Sequence, residues 1–190
     1  MNVIQSENAR LGSNDWQLTR MKLDKSGGFR SPVIEGYCSR QSERTGEELH
    51  FMVSTRASAS FKIAIFRTGY YGAKGARLMR DLGPFEGVEQ SVPGVEDRRL
   101  RECKWTSSTS ITIPEDWVSG VYLGRLTTLP KSEDDPYWQS YVVFIVTDDR
   151  KSDILLQCSD NTWQAYNRWP DDYSLYTDPK GNQGSWSDGS

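Results

Sequence analysis

Histidine is almost absent from this chain, which has one copy, His50, among 190 residues. Zinc hydrolases build their metal sites largely from histidine, so a site of that kind is excluded. A Ser-His-Asp triad would have to use His50, but this residue lies in the apparent strand ELHFMVST, and we interpret it as a strand-face residue. Any chemistry here therefore uses carboxylates, tyrosines, backbone amides or a metal held by oxygen.

Cysteine is also scarce. Cys38, Cys103 and Cys158 are too few and too scattered for a disulfide framework or a zinc knuckle. We expect reduced, mostly buried thiols in a cytoplasmic protein. Cys158 follows a predicted strand, but a nucleophilic thiol needs a base and no histidine is nearby in the sequence, so a structural role is favoured.

Strong charge imbalance and long apolar runs are both missing. The formal net charge is −3 and the basic residues do not cluster, which excludes the electrostatic footprint of a nucleic-acid binder. No apolar run approaches the ~20 residues of a membrane span. The N-terminal stretch MNVIQSENARLGSNDW lacks the apolar core of a secretory signal. We expect neither a nucleic acid nor a membrane as partner.

Short strands dominate the middle of the chain, from Val33 to Val146. They are separated by Gly, Pro, Asp and Ser turns, and this spacing predicts a β-sandwich of immunoglobulin-like type. The candidate strands are VIEGYCSR, ELHFMVSTR, SFKIAIFRTG, RRLRECKW, TSITIP, GVYLGRLTTL and SYVVFIVTD. YVVFIV is apolar on both faces, which predicts a central strand.

Two local patterns stand out within this region. In IPEDWVSGVYLGRL, a turn precedes a strand that carries Tyr122, as in the corner where a tyrosine hydroxyl binds upstream backbone. The stretch RTGYYGAKGARLM, residues 67–79, matches no phosphate-binding glycine motif and is interpreted as a hairpin or connecting loop. The alternative is that Tyr70, Tyr71 and Arg77 reach a neighbouring domain or a ligand.

The segment from Asp153 to Trp169, DILLQCSDNTWQAYNRW, predicts one βα unit. Ile154 to Leu156 form an apolar run without alternation, typical of a strand covered on both faces. Ser159 and Asp160 are good helix N-caps, and Pro170 should end the helix. Because little chain follows, we expect the truncated start of an α/β domain that carries one edge of an active site. The unpaired strand also predicts self-association.

These patterns divide the chain into three parts. Residues 1–30 are interpreted as a linker or N-terminal extension with one possible strand, Gln17 to Leu23. Residues 31–148 form the predicted sandwich, and 151–190 the predicted start of the α/β domain. Seven tryptophans and nine tyrosines serve packing by default. Aromatic platforms for a ligand are the alternative, so a non-catalytic sandwich module that binds a protein partner or a glycan stays open.

Several long stretches resemble the large (β) subunit of N,N-dimethylformamidase and its relatives. The matching stretches, between about residues 15 and 180, are IEGYCSRQS, HFMVSTRASASFKIAIFRTGYYG, IPEDWVSGVYLGRLTT, YWQSYVVFIVTDDR and QCSDNTWQAYNRW followed by SLY. The resemblance implies a β part joined to an α/β domain similar to glutamine amidotransferase-like folds. It also implies hydrolysis of the C–N bond of small formamides to formate and an amine, by water that a single iron activates.

The resemblance further implies site residues and partners. In the family the iron is held by two tyrosines and a glutamate, and Tyr166 of the WQAYN motif is the expected ligand here. Asn161 and Asn167 are expected to orient substrate or water. The remaining ligands are expected beyond Ser190, so the chain alone should be an inactive fragment. A small amide substrate, a small companion subunit and a homo-oligomer are the expected partners.

Overall fold

The structure is a computed structural model and describes residues 2–24, 30–56, 59–96, 101–171 and 174–176. Across these ranges eight strands form two sheets, and two short α-helices lie towards the ends of the chain. The strands are β1 (Ile34–Cys38), β2 (Ser42–Arg44), β3 (Glu48–Thr55), β4 (Ser60–Thr68), β5 (Ala76–Glu86), β6 (Thr109–Thr112), β7 (Gly120–Thr128) and β8 (Gln139–Thr147), and the helices are α1 (Val3–Asn8) and α2 (Asp160–Tyr166). The prediction of a mainly β protein with two sheets is confirmed. The immunoglobulin-like topology and the α/β domain stay predictions.

One hydrophobic core joins the two sheets. The smaller sheet has the strand order β1-β3-β6, and the larger has β2-β8-β7-β4-β5. Alternate residues of the strands point inward, so that Phe51 of β3 meets Phe144 of β8 edge-on, with ring centroids 6.0 Å apart. The fully buried side chains of this core are Ile34, Leu49, Phe51, Val53, Ile63, Ile65, Ile113, Tyr122, Leu126 and Phe144. β8 pairs with both β7 and β2, as its apolar sequence predicts for an inner strand.

The predicted tyrosine corner is present. The Tyr122 hydroxyl donates a hydrogen bond to the Val118 carbonyl oxygen at 2.7 Å. The ring is fully buried and stacks on Trp117, with centroids 4.9 Å apart. The hydrogen bond therefore fixes the turn that leads into β7 while the ring fills the core.

Strand β5 was not predicted, because residues 67–79 were interpreted as a hairpin or connecting loop and no candidate strand was named between them and RRLRECKW. It runs antiparallel to β4 at the edge of the larger sheet, and its register shifts twice. An edge strand has an unpaired side, so it tolerates Pro84 and charged residues that an inner strand excludes. The polar residues that made this segment resemble a loop are those that an edge strand tolerates.

Two strands predicted before Asp149 do not form in the described residues. RRLRECKW was predicted to pair, but residues 101–105 have no regular secondary structure, and 98–100 lie outside the described residues. Side chains take up the nearby backbone amides: Tyr37 Oη accepts from the Trp105 N–H at 3.2 Å, and Gln90 Oε1 accepts from the Thr106 N–H at 2.8 Å. Gln17 to Leu23 likewise forms no strand.

The chain groups into two compact units. The first comprises Met1–Lys22, Pro32–Ser91 and Trp105–Asp149, and the second comprises Leu23–Ser31, Val92–Lys104 and Arg150–Ser190. The division into domains at 1–30, 31–148 and 151–190 stays a prediction. In the part of the chain that the structure describes, no helix is long and apolar enough to cross a membrane.

Candidate functional site

Helix α2 in the second unit carries Trp163 to Tyr166 of the WQAYN motif, and Asn167 follows the helix directly. It begins after Ser159, whose carbonyl oxygen accepts from the Trp163 N–H at 2.9 Å, although the Ser159 side chain makes no capping hydrogen bond. Asp160 in the first turn complements the positive end of the helix. The helix ends at Tyr166, before the Pro170 that was expected to stop it, because Asn167 adopts an extended conformation.

The predicted strand before α2 is wrong. Ile154, Leu155 and Leu156 form no strand, and their exposed fractions are 85%, 90% and 77%. A strand covered on both faces needs neighbours on both sides, and no described residue pairs with this segment. The apolar run is therefore an irregular, solvent-exposed stretch in this structure.

Tyr166 lies at the last position of α2. Its side chain is 49% exposed, and its ring packs against that of Tyr176 with centroids 4.6 Å apart and planes at 31°. The Leu175 N–H donates to the Ala165 carbonyl oxygen at 3.1 Å, which returns the following segment to the end of the helix. Tyr166 is thus half covered by an aromatic neighbour and half open to solvent.

The two asparagines take different positions around Tyr166. Asn161 is exposed and precedes Tyr166 by five residues, which places the two about 140° apart around the helix axis. Asn167 adjoins Tyr166, and its Oδ1 accepts from the Trp169 N–H at 3.0 Å. Its Nδ2 lies 3.4 Å from Gln164 Oε1. The structure therefore keeps Asn167 beside the candidate ligand and places Asn161 on another side of the helix.

Metal ligands are few among the described residues. Nowhere in them do three or more His, Cys, Asp or Glu side chains come together as a metal site would require. A tyrosine phenolate is a hard oxygen donor that suits ferric iron, so the half-exposed Tyr166 fits as one ligand of such an ion. Among the described residues, no cluster of His, Cys, Asp or Glu accompanies Tyr166 to complete such a site.

A buried polar cluster in the first unit was only partly anticipated. Tyr71 and Arg77 were considered as residues that reach a neighbouring domain or a ligand, and both contact Glu7 of α1. The Tyr71 hydroxyl donates to Glu7 Oε1 at 2.8 Å, and Arg77 Nε lies 2.8 Å from the same oxygen. Tyr70, the third residue considered, is 69% exposed. The sequence does not predict Glu7 as part of this cluster, because the six residues of α1 are too few to show a helical apolar pattern.

The electrostatics of this cluster favour an ionised Glu7. Burial alone would raise the pKa of Glu7, but hydrogen bonds from Arg77 and Tyr71 and the charges of Arg77 and Arg10 outweigh burial, so the pKa lies below its ordinary value. Burial raises the pKa of Tyr71 above the ordinary phenol value. Both groups therefore keep their neutral-pH protonation states, with Tyr71 a donor and Glu7 an acceptor.

The cysteines form no disulfide, and all three lie in the described ranges. Burial raises the pKa of Cys38 to about 12. A thiol of that pKa is almost entirely protonated at neutral pH, so it is a poor nucleophile.

The geometry defines a mainly β protein with two sheets around one core and a tyrosine-bearing helix after the last strand. A family model described as N,N-dimethylformamidase beta subunit-like, C-terminal, matches residues 62–189, which is about two thirds of the chain. The chain belongs to this family, and the resemblance seen in the sequence is confirmed at that level. The matched range includes all of α2 and the three candidate residues. No curated protein matches the chain.

Proposed function

We propose that this chain is part of an amide hydrolase of the N,N-dimethylformamidase type, which cleaves the C–N bond of small formamides to formate and an amine. The observation that carries the proposal is the family match over residues 62–189. Its support at residue level is the WQAYN motif, whose tyrosine is the last residue of α2 and is half exposed.

In this proposal Tyr166 supplies one oxygen ligand to a mononuclear iron. When bound, the iron supplies Lewis-acid chemistry that polarises the amide carbonyl and makes water more nucleophilic near neutral pH. Asn167 holds substrate or water beside Tyr166, since the hydrogen bond from the Trp169 N–H fixes its carbonyl oxygen. Asn161 has a similar role towards a more distant part of the substrate.

The proposal includes an incomplete site. One tyrosine cannot hold an iron, so the second tyrosine and the glutamate come from residues outside the described ranges, from a companion subunit or from a second copy. The description of the family as a subunit supports such an assembly. We propose the cytoplasm as its location, because the three cysteines form no disulfide.

Iron content and formate release test the proposal. The purified 190-residue chain should retain less than one iron per chain and release no formate from N,N-dimethylformamide above background. Stoichiometric iron together with unaided hydrolysis would show that the site is complete without other ligands.

A second test addresses Tyr166 in the active assembly that contains this chain. Tyr166→Phe should abolish the visible absorption of an iron-bound phenolate and lower formate release by at least about 100-fold. Loss of a residue that only supports a metal ligand costs at most about 100-fold. Tyr70→Phe is the matched control, because it removes the hydroxyl of another exposed tyrosine. Unchanged absorption in Tyr166→Phe would exclude Tyr166 as a ligand.

A non-catalytic sandwich module for a protein partner or a glycan is the other candidate. It would be favoured by exposed tryptophans on the sheets. Among the described residues, Trp163 of α2 is the one tryptophan with a largely exposed side chain, at 56%. The tryptophans of the first unit are engaged in its own packing, as Trp117 is against Tyr122. Amide hydrolysis is therefore preferred, and micromolar binding in a glycan array would reverse this preference.

A further inference from the structure

The buried cluster around Glu7 has the geometry of a carboxylate-binding site, and the proposed amide hydrolysis gives it no role. Tyr71 and Arg67 are 1% and 4% exposed. Arg67 Nη1 donates to the Tyr71 hydroxyl oxygen at 2.9 Å. Because a guanidinium can only donate, the single phenolic proton of Tyr71 must point away from Arg67 and towards Glu7 Oε1. The hydrogen bond from Arg67 therefore orients the Tyr71 hydroxyl as a donor towards Glu7.

This carboxylate-binding site carries more positive charge than the β4–β5 hairpin that forms it neutralises. Besides Tyr71, Arg67 donates to the carbonyl oxygens of Val118 at 3.1 Å and Ser119 at 2.8 Å, and these partners are neutral. Arg77 adds a second guanidinium at the Glu7 carboxylate. A buried guanidinium is costly without a counter-charge, so the site requires an anion.

The positions of the two arginines show that the β4–β5 hairpin, and not helix α1, forms the carboxylate-binding site. Arg67 of β4 and Arg77 of β5 are directly paired in the antiparallel register, and Tyr71 lies in the turn that connects the two strands. Like charges opposite each other destabilise a sheet. Glu7 comes from α1, far away in the sequence, and its carboxylate contacts Arg77 directly and Arg67 through the Tyr71 hydroxyl.

We propose that Arg67, Tyr71 and Arg77 form a carboxylate-binding site of the β4–β5 hairpin whose ligand, the Glu7 carboxylate, is supplied by the N-terminal helix. A small free carboxylate takes the same position when that side chain is missing. Acetate has the right size, because replacing Glu7 with alanine removes one methylene and the carboxylate while the β-carbon stays.

The test is acetate titration of the full-length Glu7→Ala variant, with chloride replaced by acetate at constant ionic strength and pH 7. The measured quantity is the ratio of folded to unfolded protein from denaturant curves. This ratio should rise about elevenfold when acetate reaches ten times its dissociation constant. The wild type and Glu89→Ala, which loses an exposed carboxylate, report the general effect of acetate on stability.

Three comparisons decide the outcome. If Glu7→Ala responds to acetate no more than the wild type does, the proposal is wrong. Glu7→Gln fills the site with an uncharged side chain of the same shape, so a response as large as that of Glu7→Ala would place acetate elsewhere and overturn it. Adding Arg77→Gln to Glu7→Ala should abolish the response.

The test also works if Glu7→Ala is unfolded in chloride. Acetate should then restore the near-UV circular dichroism of the folded protein, and failure to do so at high acetate concentration refutes the site. Because none of these readouts depends on amide hydrolysis, they can fail or succeed independently of the proposed function.

Discussion

Removing the hydroxyl of Tyr122 tests how the corner before β7 is stabilised. In the Tyr122→Phe variant the ring keeps its contacts with Trp117, at 4.9 Å between centroids, and with Phe144, at 5.4 Å. What is lost is the hydrogen bond to the Val118 carbonyl oxygen. Burial raises the pKa of Tyr122 well above its ordinary value, so this donor is present throughout the neutral and acidic range.

The expected loss of stability is about 1 kcal/mol, the net value of a typical hydrogen bond. A buried carbonyl left without any partner would add a desolvation cost and bring the loss to about 1–3 kcal/mol. Here the Val118 oxygen also accepts from Arg67 Nε at 3.1 Å, so it keeps one partner. The smaller figure therefore applies. Tyr122→Ala should lose about 3–5 kcal/mol, since it also removes a buried ring.

Urea unfolding followed by circular dichroism measures these values, and a thermal scan should show a fall in Tm of about 2–4 °C for Tyr122→Phe. Tyr137→Phe is the control, because it removes a 3.0 Å hydrogen bond to Thr19 at an exposed position. It should change stability by no more than about 0.5 kcal/mol. If Tyr122→Phe is as stable as the control, the corner hydrogen bond contributes nothing and the ring alone explains the residue.

Three further predictions concern Glu7, Cys38 and Leu155. The pKa of Glu7 in the folded protein lies below the ordinary value of 4.5. The stabilisation that ionised Glu7 gives to the fold is therefore complete above pH 4.5 and is lost as the pH falls through the folded-state pKa. The gap in urea midpoint between wild type and Glu7→Gln should thus hold from pH 7 to 5 and shrink at lower pH; a constant gap would refute the ion pairing. Cys38, with a pKa of about 12, should resist alkylation at pH 8 until the protein unfolds, as read by mass spectrometry. Leu155→Glu should reduce self-association in light scattering, because Leu155 is 90% exposed; a monomeric wild type at high concentration would contradict this.

The inner strands could be predicted from sequence because both periodicity and composition favour them. In β4, Phe61, Ile63 and Ile65 alternate with less apolar neighbours, and all three are buried. Edge strands lack this signal. β5 has one covered side at most, so charge and Pro84 are tolerated there, and its sequence resembles that of a loop.

The cluster around Glu7 shows a second limit of sequence reasoning. Tyr71 and Arg77 stood out as aromatic and charged residues in a glycine-rich stretch, and such residues often contact a ligand or another segment. Their partner could not be identified, because the contact joins a six-residue helix to a hairpin more than sixty positions away. Long-range pairs of this kind leave no local pattern in a single sequence.

The segment before α2 separates local from non-local determinants most clearly. Helix α2 begins directly after Ser159, as the sequence predicts, although the Ser159 side chain makes no capping hydrogen bond. A helix satisfies most of its hydrogen bonds within one segment. A strand depends on partners that other segments supply, and in the structure Ile154 to Leu156 have no regular secondary structure and are exposed. The same sequence run thus contains one element that forms locally and one that requires more sheet. An added strand that covered these residues would bury three large apolar side chains worth about 1.5–3 kcal/mol each, enough to drive an association. That expectation links the exposed run to the proposed iron site, because both would need residues that the described part of the chain does not provide.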